Sequence, residues 1–95
     1  MAAYVIVDID ISDAARYEEY KKLAGPTVGA HGGKYVARGG KVHPLEGDWR
    51  PGRIVVLEFP TAEKAKAWWD SPDYRRARAI RHECATSRMI VVEGT

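Results

Sequence analysis

Glu46–Tyr74, EGDWRPGRIVVLEFPTAEKAKAWWDSPDY, carries the chain from a loop broken by proline and glycine, through a strand, into an aromatic-faced helix. In Arg53–Phe59 the apolar residues stand on both faces. Val55, Leu57 and Phe59 share one side and Ile54 and Val56 the other, the pattern of a strand in the middle of a sheet. Thr61 supplies the hydroxyl of an N-cap, and Ala65, Trp68 and Trp69 follow on one side of a helix. Ser71 and Pro72 restart a helix as N-cap and first helical residue, where proline forfeits no hydrogen bond.

Working outward, Val5, Val7, Ile9 and Ile11 alternate with Tyr4, Ile6, Asp8 and Asp10, which predicts a first strand. Ser12 is placed to cap a first helix on which Tyr17, Tyr20 and Ala24 recur at helical spacing, and Gly25-Pro26 is expected to end or kink it. A second strand is expected over residues 34–38, with Gly39-Gly40 as a hairpin turn or bulge. The last helix is expected to run to Cys84 or Ala85, and a final strand over residues 88–93. The order is βαββαβ in one domain spanning residues 1–95, without repeats or a low-complexity linker. It predicts an α+β ferredoxin-like sandwich, a four-stranded antiparallel sheet with helices on one face. The first and third strands are then central and apolar on both faces, whereas helices cover only one. The other face is expected to pack against a second copy, giving a homodimer with a barrel-like pair of sheets.

Composition narrows the function classes. Fifteen Lys and Arg against thirteen Asp and Glu leave a net charge of +2, too balanced to require a nucleic acid or an anionic membrane as partner. RNA-recognition domains share this strand order, but residues 53–59 lack their glycine and exposed ring pair, so no nucleic acid is expected. No segment reaches the roughly 20 apolar residues of a membrane span, and MAAYVIVDIDIS has no basic start. The expected location is cytoplasmic, without a membrane partner. The single Cys84 forms no internal disulfide or metal knuckle. His31, His43 and His82 make no i, i+4 pair, so no metal is expected, and with no Walker loop or dinucleotide glycine fingerprint no cofactor is expected.

The phrases GGKYVARGG, LEGDW, RIVVLEFP, AWWDSPDYRRARAIR and SRMIVVEG resemble, over nearly the whole chain, the domain of unknown function 1330, a family within the dimeric α/β-barrel superfamily. The resemblance implies a ferredoxin-like fold and a dimer, and no substrate. Relatives in the wider superfamily include cofactor-free monooxygenases, muconolactone-type isomerases and haem-binding decarboxylases, and one fold hosts many functions.

Candidate site residues follow from position. Arg81 shares the inward stripe of the last helix with Tyr74, Ala77 and Cys84, and is read as an anion clamp or as half of a structural ion pair. Asp8 and Glu58 fall on the open sheet face. The topology is read as running the two central strands parallel, which lets their carboxylates approach each other as an acid–base pair with Arg88 as counter-charge; the alternative reading makes them interface salt-bridge residues. His31, at a helix-to-strand junction, is read as a general base at a pocket mouth or as a capping residue. Trp68 and the phenols of Tyr17, Tyr20 and Tyr74 line the expected pocket or simply fill the core, and Trp49 closes over a pocket or anchors a partner. Two functions remain open: a small-molecule site for an organic acid or aromatic, with cofactor-free oxidation or isomerisation as its chemistry, and a non-catalytic dimeric interaction module.

Overall fold

The computed structural model describes residues 1–95. It contains β1 (Ala3–Ile11), α1 (Ala14–Ala30), β2 (Lys34–Arg38), β3 (Arg53–Phe59), α2 (Ala62–Trp69), α3 (Pro72–Cys84) and β4 (Ala85–Glu93). The strands form one sheet in the order β2-β3-β1-β4, with every neighbouring pair antiparallel. This is the ferredoxin-like arrangement, with β1 and β3 central and the second helix divided at Ser71-Pro72.

The helices cover one face. Val5, Val7 and Ile9 of β1 and Val55, Leu57 and Phe59 of β3 point into a core shared with Tyr17, Tyr20, Ala24, Val28, Trp68, Tyr74 and Ala77. Apolar residues also populate the opposite face: Ile6 and Val56 are half-buried, whereas Ile90 and Val92 are 61% and 45% exposed.

Four expectations need correction. First, β1 and β3 run antiparallel, because α1 returns the chain to start β2 parallel to β1 and β3 then reverses against β2. Asp8 therefore lies opposite Ile54 and Glu58 opposite Tyr4, about 13 Å apart along the strands at ~3.3 Å per residue. The carboxylate pair does not form. Second, α1 continues through Pro26 to Ala30. Proline removes one bond to the carbonyl four residues back, but Thr27 and Val28 are buried and the Trp68 indole donates to Thr27 Oγ1 at 3.0 Å. Third, α1 is capped by Asp13 instead of Ser12, its carboxylate accepting from the Arg16 amide at 3.1 Å, while the Ser12 amide donates to the Cys84 carbonyl at 2.8 Å. Fourth, β4 begins at Ala85, three residues earlier than expected, because Ile11 and Ala85 already pair as α3 ends. Gly39, at φ +69°, ends β2, and the chain leaves the sheet over residues 39–52 before β3.

Candidate functional site

The Ser71 hydroxyl caps α3 by accepting from the Tyr74 amide at 3.3 Å. This fixes the helix phase so that Tyr74, Ala77, Arg81 and Cys84 all face the sheet. Tyr74 is fully buried, and its ring lies 4.1 Å, centroid to centroid, from that of Trp68. Its hydroxyl is the centre of a short relay. Arg81 Nη1 donates to it at 2.7 Å, and it shares a second hydrogen bond with the Tyr20 hydroxyl, 2.9 Å away. Burial pushes the phenols of Tyr20 and Tyr74 above their ordinary value, and both remain protonated donors at neutral pH.

Arg81 is 4% exposed and has no carboxylate partner in the chain. Its Nε has no hydrogen-bond partner, and Nη2 has only a 3.4 Å contact with His82 Nε2. Taking a guanidinium out of water costs several kcal/mol unless charge and hydrogen bonds are returned to it. One phenol returns part. Beside Arg81 opens a cavity of about 500 Å³ between the helices and the β4 edge, walled by Trp68, Trp69, His82 and Met89. Burial, then the neighbouring charges of Arg81 and Arg78, lower the His82 pKa from its ordinary value. Its imidazole is therefore mainly neutral at pH 7 and can accept a proton.

The structure divides the expected pocket. Trp68 and Arg81 border the large cavity. Tyr17, Tyr20 and Tyr74 border a gap of about 30 Å³ that also touches Trp68. The remaining candidates lie elsewhere. His31 closes α1 and contacts Asp73 at 3.4 Å, joining the end of α1 to the start of α3. Glu58 sits on the open face, 3.6 Å from Lys34 Nζ. Asp8 accepts from the Trp49 indole at 3.0 Å and the Gly52 amide at 2.9 Å, with Arg88 at 3.8 Å. The indole bond, supported by Gly52 and Arg88, holds its carboxyl below the usual range. Asp8 thus pins loop 39–52 over the open face, where Trp49 and Arg88 border a broad trough. No group of His, Cys, Asp and Glu is arranged to hold a metal ion, and no helix is long and apolar enough to cross a membrane.

Sequence reasoning left His82, Trp69 and Met89 out of the site. Helical periodicity places His82 on the outer side of α3, and only the proximity of the β4 edge brings its ring to the cavity rim.

Residues 2–95 match the family model of the domain of unknown function DUF1330. The chain belongs to this family. Solved structures repeat the fold of this DUF1330 protein. A protein of unknown function from Rhodopseudomonas palustris is similar at 21% identity and TM-score 0.80, over 99% of this chain and 82% of its own. A dimeric ferredoxin-like protein of unknown function from Thermobifida fusca is similar at 19% identity and TM-score 0.68, over 97% and 90%. SnoaB, a cofactor-independent oxygenase from Streptomyces nogalater, is similar at 10% identity and TM-score 0.68, over 99% and 93%. At these identities the likeness is one of fold. No curated protein matches the chain.

Proposed function

We propose that this DUF1330 protein binds a small organic anion, an aromatic carboxylate or enolate, in the cavity beside Arg81. The observation that carries this reading is a guanidinium 4% exposed, without an acidic partner, at the wall of a cavity of about 500 Å³. An anion there returns the missing charge, and a bidentate carboxylate matches the planar fork of arginine. Trp68, Trp69 and Met89 offer an apolar wall for a ring, a mixture usual for small-molecule sites. Proton transfer at this site falls to His82, the neutral base at the rim, with Arg81 holding the developing negative charge. Such chemistry needs no cofactor and suits isomerisation or the deprotonation that precedes a cofactor-free oxidation. Asp8, Glu58 and His31 lie outside it.

The working unit in this reading is a homodimer closed through the open sheet faces. Ile6, Val56, Ile90 and Val92 form an apolar face that the helices leave uncovered, and a stable pair needs roughly 800 Å² from each partner. The same face is what favours the non-catalytic interaction module, in which dimerisation is the whole function.

A thermal-shift screen of small carboxylates, hydroxylated aromatics, quinones, lactones and haem separates these readings. Aromatic carboxylates are expected to raise the melting temperature of the wild type and not that of folded Arg81→Met. A screen in which no carboxylate or enolisable aromatic stabilises the wild type overturns the ligand reading and leaves the interaction module.

A further inference from the structure

Away from Arg81, across the Trp68–Tyr74 ring pair, a second cluster of cations stands at the opening between α1 and the β2–β3 edge. Lys21 of α1, Arg38 of β2 and Arg53 of β3 border the small gap there together with Tyr17 and Tyr35. The topology brings them together. Arg38 pairs with Val55 across the β2–β3 ladder, and Arg53 lies two residues before Val55 on the same face of β3. Lys21 stands one helical turn after Tyr17.

Both guanidiniums are laid on aromatic rings. Arg38 Cζ is 4.2 Å from the Tyr35 ring centroid and Arg53 Cζ 5.7 Å from that of Tyr17. Arg53 fills the space a side chain at position 39 would take, since a Cβ on Gly39 would fall among its guanidinium atoms. Arg38 Nη2 reaches to 3.7 Å from where a Gly25 Cβ would stand. Neither arginine pairs with a carboxylate, and Arg53 Nε is buried without a partner. The acid nearby is Glu18, which Lys21 engages at 2.8 Å and on which Arg53 also acts. Three cations against one carboxylate leave the opening with an excess of two positive charges. Burial keeps the Tyr17 and Tyr35 phenols protonated above the ordinary tyrosine range, so the groups at the mouth other than Glu18 are hydrogen-bond donors.

We propose that this opening is a second anion site that takes a phosphoryl group, free or as a monoester, independently of the Arg81 cavity. A tetrahedral dianion matches the charge excess, and guanidiniums already placed over aromatic rings offer their N–H groups to its oxygens at a reduced ordering cost. The gap of about 30 Å³ holds little more than one water. The phosphoryl group therefore sits at the mouth, with any ester group directed to solvent.

The test uses amide-resolved NMR and thermal melting of the full chain, titrated with inorganic phosphate, phenyl phosphate and sodium chloride at constant ionic strength. Saturable perturbation of amides in residues 17–21, 35–39 and 53 is expected with a phosphate and not with chloride. Arg38→Gln with Arg53→Gln should weaken it at least tenfold, and Arg81→Met should leave it unchanged. Comparison of inorganic phosphate with phenyl phosphate tells a free anion from a monoester. Equal shifts with chloride, perturbations centred on the Arg81 cavity, or affinity retained without both arginines would overturn the proposal. If the double variant does not fold, Arg38→Gln alone, at an exposed position, carries the same comparison.

Discussion

Tyr74→Phe removes one oxygen from a fully buried ring and leaves the ring stacked on Trp68. Two groups lose their partner at once: Arg81 Nη1, which donates to that oxygen at 2.7 Å, and the Tyr20 hydroxyl, which shares a hydrogen bond with it at 2.9 Å. A hydrogen bond to a charged group contributes about 1.5–3 kcal/mol, and the orphaned guanidinium keeps its desolvation cost, so a loss of about 2 kcal/mol is expected. In a domain of this size that is roughly 8–16 °C of melting temperature. Tyr20→Phe breaks only the neutral bond and should cost about 1 kcal/mol. The double variant should lose little more than Tyr74→Phe alone, because the second substitution removes a group already without its partner. Urea unfolding of the four proteins measures the cycle. Equal losses for the two single variants, or full additivity in the double, would refute the relay from Arg81 through Tyr74 to Tyr20.

Other consequences can be checked separately. Ile90→Asp, at an exposed position on the apolar sheet face, should convert a dimer to a monomer in light scattering without unfolding it; a dimer that persists would place the interface elsewhere. Asp8 has a folded pKa below its ordinary value, so its stabilising contribution is complete above the unfolded pKa of about 3.9 and is lost as pH falls through the folded one. The stability difference between wild type and Asp8→Asn should therefore be constant near neutrality and shrink below about pH 4, and the Gly52 amide should exchange faster in the variant. The raised phenol pKa values of Tyr17, Tyr20, Tyr35 and Tyr74 favour the folded state below the unfolded value of about 10, and this contribution is lost as pH rises through the folded values. Phenolate absorbance of the buried pair Tyr20 and Tyr74 should thus appear together with unfolding; reversible native titration of both near 10 would contradict their burial.

The fold was legible because its signals are local. The two-sided apolar pattern of residues 53–59, the Thr61 cap and the Ser71-Pro72 restart each follow from neighbours within a few positions, and the phase set by Ser71 already put Arg81 with Tyr74 on the inward stripe. What sequence missed is long-range. The antiparallel run of β1 and β3 separates Asp8 from Glu58, although both stand on the face that alternation assigns. The Trp49–Asp8 bond joins residues 41 positions apart across a loop with no period. Pro26 stays helical because Trp68, also 41 positions away, bonds the next residue. His82 reaches a cavity only because β4 turns back beside α3, which helical spacing does not encode.

The most direct test of the Arg81 site is calorimetric titration of an aromatic carboxylate into wild type and Arg81→Met, each shown to be folded. One saturable site per subunit in the wild type, weakened at least tenfold by the substitution, is the predicted result. Equal affinity in the two proteins would contradict the account, because the buried guanidinium would then not be what holds the anion.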